Sequence, residues 1–337
     1  MTTDMRVADD LNRALHGLFA ADERAYLLGE DVLDPYGGAF TITRGLSTAY
    51  PERVLTTPIS EGAIAGAAAG LALAGNTAVA EMMFGDFVTL AFDQIVNFAA
   101  KSVSMYGERL PLRLIVRCPT GGNRGYGPTH SQSLQKHFIG VPDLALFEIS
   151  PLHPSATVLR VMRDLAQPCM LFEDKVLYTR PVRHGGRIDD VFRVETTGPA
   201  PGTAVVSADT GPPDCVLIAP GGLVERALEA MRTLLFTDDV ACRLVVPAQL
   251  YPPAIEPLVE QAAAARSVCV LEDSTAGGTW GAHLAHEIHR AAWGRLRRPV
   301  RLVHAADRVV PAAPHLERAV LVQAADIRRA VLEEINA

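Results

Sequence analysis

Thr57-Pro58-Ile59-Ser60-Glu61-Gly62-Ala63-Ile64-Ala65-Gly66-Ala67-Ala68-Ala69-Gly70 is the stretch on which the reading of the fold turns. The short apolar run at 54–57 reads as a strand, and the small-residue run after Ser60 reads as a helix. Glu61 stands at the mouth of that helix. On its own it is a dipole-matching residue, since the positive end of a helix favours a carboxylate. The residues behind it ask for more. Gly62, Gly66 and Gly70 recur every fourth position and share one helix face. Each glycine costs about 1 kcal/mol against alanine inside a helix. Three on one face imply that backbone or ligand comes very close there.

Outward from this stretch the chain alternates strand and helix. Strands are expected at 26–31, 54–57, 77–83, 112–118, 145–149 and 169–173. Helices are expected at 5–21, after Glu61, at 86–104 and at 154–165. In 86–104 the spacing places Phe92, Ile95, Val96 and Ala99 on one face. Such alternation predicts a parallel sheet covered on both faces, with ligands beyond the carboxyl ends of its strands. Residues 179–214 are rich in Pro and Gly with weak periodicity, and read as a linker or crossing segment. A second α/β pattern follows, with strands at 215–219, 242–246, 267–272 and 300–304 and helices at 222–235, 254–265, 280–293 and 324–335. The fold class is therefore α/β with two doubly wound domains, at 1–180 and 214–337, joined through 181–213.

The 337 residues suffice for two full cores, and 49% hydrophobic with 20% charged residues is a globular composition. A net charge of -7 argues against nucleic acid or an anionic membrane held by bulk electrostatics. No run reaches the ~20 apolar residues of a membrane span. Residues 1–10 are polar with three aspartates, so no signal peptide is expected. The five cysteines are scattered without a CxxC pair, which fits buried thiols in a reducing cytoplasm.

The glycine-rich loop 121–127 lacks the Lys and Ser/Thr ending of a phosphate-binding loop. It reads instead as a close-approach loop leading to His130, in Thr129-His130-Ser131-Gln132. A histidine in a polar loop is ordinarily a surface residue. Following a buried-type strand, it becomes a candidate for proton transfer. His283, His286 and His289 fall on one face of a predicted helix, at a spacing that serves a zinc ion poorly.

Thr57-Pro58-Ile59-Ser60-Glu61, Phe84-Gly85-Asp86-Phe87, Ala91-Phe92-Asp93-Gln94-Ile95-Val96-Asn97 and Thr129-His130-Ser131-Gln132, in this order and spacing, resemble the beta subunit of the 2-oxo acid dehydrogenase decarboxylating component. That group comprises the pyruvate, branched-chain and acetoin dehydrogenases within the transketolase-like thiamine diphosphate enzymes. Glu272-Asp273 with Gly277-Gly278-Thr279-Trp280-Gly281, and the ending 307–335, are similar to the family's carboxyl-terminal domain. The resemblance implies a transketolase-like pyrimidine-binding domain followed by a transketolase C-terminal domain. It implies thiamine diphosphate as cofactor, with Glu61 bonded to the aminopyrimidine ring, Phe87 packed on that ring, and Ile59 and Met83 in the pocket. Met83 stands where many relatives have glutamine. His130 matches the histidine near the reacting carbon. A potassium ion on main-chain carbonyls around Leu114, Met162 and Asp164 is a further carry-over.

No Gly-Asp-Gly with a downstream Asn-Asn pair is present. In this family the diphosphate and magnesium site lies on an alpha subunit. The resemblance thus implies an α2β2 heterotetramer that is active only when both chains are present. It also implies decarboxylation of a small 2-oxo acid and acyl transfer to a lipoyl group, with a lipoyl acyltransferase core as a further partner. A split carboligase or ketol transferase of a biosynthetic pathway is the alternative. The glycine-lined helix then reads as a close-packing surface at a subunit contact.

Overall fold

Two compact units make up the computed structural model, which describes residues 5–209 and 211–337. The first holds the described residues through Thr120 together with Gly140–Ile149 and Pro154–Val182. The second holds Gly121–Ile139, Ser150–His153 and Arg183–Ala337.

In the first unit the strands are β1 (Ala25–Gly29), β2 (Val54–Thr56), β3 (Thr77–Glu81), β4 (Arg113–Thr120), β5 (Ala145–Glu148) and β6 (Cys169–Asp174). They run in the order β5-β6-β4-β3-β1-β2, every pair parallel. Leu27 pairs with both Val54 and Val79, Val79 with Ile115, and Ile115 with Cys169, so one apolar row crosses the sheet. Burial on both faces explains why β3 and β4 read as continuous apolar runs. The helices are α1 (Val7–Ala21), α2 (Leu46–Ala49), α3 (Glu61–Leu73) and α4 (Ser155–Asp164). Helix α1 buries Leu11, Leu15 and Leu18 at the predicted spacing and packs on α4.

The predicted helix over 86–104 is α-helical only at short stretches. Gly85–Ala91 forms a 3-10 segment and Gln94–Ala100 a π-helical one. Ile95, Ala99 and Ala100 are buried whereas Phe92 is exposed. The i→i+5 ladder of a π-helix rotates the buried stripe away from the α-helical spacing that the sequence pattern assumed.

The second unit contains β7 (Gly186–Arg187), β8 (Phe192–Thr197), β9 (Thr203–Ala208), β10 (Cys215–Ile218), β11 (Cys242–Pro247), β12 (Gln249–Tyr251), β13 (Ser267–Thr275) and β14 (Arg301–Ala305). Its sheet has the order β14-β13-β10-β11-β9-β8-β7. The pairs β14·β13, β13·β10 and β10·β11 are parallel, and β11·β9, β9·β8 and β8·β7 are antiparallel. The segment read as a linker is therefore a three-stranded antiparallel extension of this sheet. Its signal is the alternation Phe192-Arg193-Val194-Glu195, with Phe192 and Val194 buried and the other two exposed. The surrounding Gly and Pro residues obscure it. Helices α5 (Val224–Asp238), α6 (Ile255–Ala264), α7 (Trp280–Ala292), α8 (Pro314–Val320) and α9 (Ala324–Asn336) complete the unit, with α5 against α9 and α6 against α7.

Candidate active site

Three neighbouring strands of the first unit end in acids or lead into one. Glu30 follows β1, Thr57 to Glu61 follow β2, and β3 ends on Glu81. The carboxyl ends of parallel strands are where such sheets bind ligands. Glu61 is the first residue of α3 and is only 4% exposed. Its side chain has no hydrogen-bond partner among the described residues. Glu30 lies close enough to repel it. Burial, and then the Glu61 charge, push the Glu30 carboxyl above its ordinary value, opposed by a backbone hydrogen bond from Ser60. Glu30 Oε1 and Thr57 Oγ1 are buried without a partner. Buried polar groups are rarely left so, and each such group costs about 1–3 kcal/mol. Two carboxylates and a hydroxyl thus stand together at the carboxyl ends of β1 and β2.

Helix α3 buries Ile64, Ala65, Ala68, Ala69 and Ala72, and its apolar residues leave no polar stripe. The close approach that its glycines imply is made by the chain itself. A Cβ on Gly62 would lie 3.4 Å from the Leu90 carbonyl, and one on Gly66 would lie 3.1 Å from Gln94 Oε1. Gly70 faces open space. The 3-10 and π segments are thereby drawn onto α3, which brings the segment carrying Phe87 alongside Glu61.

Phe87 is half-buried and edges against Phe84 at 6.0 Å between centroids. Phe84 is 5.5 Å from Phe40, and Phe40 is 5.2 Å from Tyr178. Lys175 Nζ is 5.7 Å from the centre of the Phe84 ring. Met83 is half-buried, whereas Ile59 is 83% exposed. Glu61, Met83 and Phe87 thus lie on adjoining segments of one unit, with Ile59 pointing outward beside them.

Beneath these residues lies a fully buried ion cluster that the sequence reading missed. Arg117 donates to Glu173 through Nε at 2.7 Å and Nη2 at 2.9 Å, and to Glu81 through Nη1. Tyr178 donates to Glu173 at 2.7 Å. Burial alone would lower the Arg117 guanidinium, but Glu173 and Glu81 more than offset it and hold the charge. Its only sequence signal is a charged residue inside each of three apolar strands.

His130 lies on the 121–139 loop of the second unit and is half-buried. Thr129 Oγ1 is 2.9 Å from His130 Nδ1, so the hydroxyl meets one ring nitrogen. The loop is tied at its base by a hydrogen bond from Gly121 N to Gln132 O, 3.1 Å.

Leu114 is buried in β4 and Met162 in α4. The Asp164 carboxylate at the end of α4 is held by Arg163 at 2.8 Å and Arg160 at 3.7 Å. On α7, His289 Nε2 accepts the Val300 N–H at 3.1 Å and the His283 ring lies 5.6 Å from that of Tyr251. Each of these two rings therefore has a packing role.

Residues 3–181 match the family described as the pyrimidine binding domain of transketolase, and residues 202–327 match the C-terminal domain of transketolase. The chain is similar to the beta subunit of acetoin:2,6-dichlorophenolindophenol oxidoreductase from Cupriavidus necator, 28% identical over 95% of this chain and 94% of that one. It is 29% identical to the beta subunit of the pyruvate dehydrogenase E1 component from Rickettsia felis, over 96% of each chain. To the beta subunit of 3-methyl-2-oxobutanoate dehydrogenase from Mycobacterium tuberculosis it is 30% identical, over 89% of this chain and 83% of that one. Among solved structures, a split-gene transketolase described as an inactive beta4 tetramer superposes with a TM-score of 0.71 over 97% of each chain at 20% identity, a likeness of fold.

Proposed function

We propose that this chain, which belongs to the transketolase-like thiamine diphosphate family, is the beta subunit of a 2-oxo acid dehydrogenase that decarboxylates a small 2-oxo acid and passes the acyl group to a lipoyl acceptor. The curated relatives are oxidoreductase and dehydrogenase beta subunits, which favours this reading over a split carboligase or ketol transferase. The observation that carries the site is Glu61, buried at a helix mouth with no hydrogen-bond partner of its own.

Thiamine diphosphate, when bound, supplies a carbon nucleophile and a sink for the electrons left by loss of carbon dioxide. The work of this chain is to hold and tune it. The Glu61 carboxylate would accept a hydrogen bond from the aminopyrimidine ring and thereby favour its basic form. Phe87 would pack on that ring, flanked by Met83, with Ile59 closing the pocket rim. The His130 imidazole, held at Nδ1 by Thr129, would hold or move a proton at the reacting centre. Magnesium and the diphosphate would be held by an alpha subunit in an α2β2 assembly, and the exposed Ile59 beside the buried Glu61 is the kind of surface such a partner covers. A lipoyl acyltransferase core, a cytoplasmic location and potassium on carbonyls around Leu114, Met162 and Asp164 complete the proposal. The domain limits 1–180, 181–213 and 214–337 belong to it as well. No helix among the described residues is long and apolar enough to cross a membrane.

Glu61→Gln, assayed with the alpha subunit on a panel of 2-oxo acids, should lose about 10²–10⁴-fold in rate while the subunits still assemble. The wild-type chain alone should show no turnover. Full activity of the variant, or decarboxylation by the chain alone, would sink the assignment.

A further inference from the structure

We infer that Glu317 is a positioning residue for the reaction, acting through the loop that carries His130. The inference rests on the reading of His130 given above. Glu317 is the fourth residue of α8, is 2% exposed, and forms no ion pair with any described residue. Its carboxylate instead clasps the glycine-rich loop. Oε1 accepts the Asn123 N–H at 2.8 Å and Oε2 accepts the Gly125 N–H at 3.0 Å. Asn123 and Gly125 both have positive φ, 63° and 72°, which turns alternate amides toward one point.

The approach of the loop to this segment is close. A Cβ on Gly122 would lie 2.5 Å from Leu321 Cδ1 and 3.1 Å from Glu317 Oε1, and one on Gly125 would lie 3.3 Å from the Ala312 carbonyl. Contact with Glu317 of α8 and with Ala312 and Leu321 on either side of that helix, rather than a phosphate, accounts for small residues here. Five residues beyond Gly125, the His130 N–H bonds to Gly127 O at 3.3 Å. The clasp at Asn123 and Gly125 and the backbone turn from Gly127 to His130 thus lie on one continuous stretch of loop.

Charge and symmetry of the acceptor matter, not shape alone. A carboxylate offers an oxygen to each amide. Glutamine offers one oxygen, and turns a donor toward the second N–H. A half-buried N–H left unmet favours a loop that opens to water. A shift of about 1 Å in a reacting group can cost 10²-fold in rate.

The test uses the holoenzyme with its alpha subunit and the variants Glu317→Gln, His130→Ala and the double variant. Glu317→Gln should raise hydrogen exchange across 121–132 and lower kcat by about 10–100-fold, with cofactor affinity retained. In the His130→Ala background the same change should lower kcat no further, because a residue that acts through His130 has nothing left to position. Equal losses in both backgrounds, or unchanged exchange in Glu317→Gln, would overturn the inference. A full rate in His130→Ala alone would remove His130 from the chemistry. That is a failure of the earlier reading, and the exchange measurement then still decides whether Glu317 orders the loop.

Discussion

Two pairs of buried glutamates in the first unit have opposite surroundings. Glu81 and Glu173 share Arg117, and Glu173 also accepts from Tyr178, so a cation stands between the two carboxylates and both Glu173 oxygens are bonded. Glu30 and Glu61 share no cation among the described residues and leave Glu30 Oε1 unmet. The first pair is a closed structural device. The second is an open one, two like charges held together without a cation, which costs stability in the isolated chain. Burial alone would rank the two pairs as equals; the partners separate them.

The comparison breaks most visibly at Arg117. Arg117→Met would leave two carboxylates buried without their cation. Loss of one partner from a buried pair costs about 3–5 kcal/mol. Urea unfolding should therefore show Arg117→Met strongly destabilised, with most of the loss recovered when Glu81 and Glu173 are also made apolar. A loss below about 1 kcal/mol would mean that water reaches this cluster, and that the two pairs differ less than their partners imply.

The alternation of strand and helix, the two doubly wound domains and the helix that Glu61 opens were all legible in the sequence. They depend on periodicities of local residues and on one short motif. The ion cluster was not legible, because Glu81, Arg117 and Glu173 are joined only when β3, β4 and β6 come together in the sheet. Glu30 was visible as an acid at a strand end, but its closeness to Glu61 arises from the pairing of β1 with β2. The π-helical segment and the strands within 181–213 were missed for a local reason. In one the residue spacing mimics an α-helix, and in the other Gly and Pro outweigh a four-residue alternation. Glu317 carried no signal, since its partners lie almost 200 positions earlier.

Tyr178 sharpens the closed side of the comparison. Its hydroxyl is one of three donors to Glu173, so Tyr178→Phe removes one bond and leaves the guanidinium in place. A hydrogen bond to a charged group contributes about 1.5–3 kcal/mol. The loss in urea unfolding should be smaller than for Arg117→Met, and no loss would show that Arg117 alone satisfies Glu173.

Glu30 probes the open side, with the smallest effect. Burial first, then the Glu61 charge, raises its carboxyl in the folded state. The folded chain thus holds this proton more readily than the unfolded chain does. The stability that comes with the neutral form is fully present below the unfolded value near 4.5, and is lost as pH rises through the raised folded value. Glu30→Gln is neutral at every pH. It should match the wild type near pH 4 and be the more stable of the two at pH 8, a gain smaller than either loss above. The gain should shrink when Glu61 is also glutamine, because the like charge that helps to raise Glu30 is then absent. A difference that is constant across pH would assign the effect to packing, and Glu30 and Glu61 would no longer form an open pair.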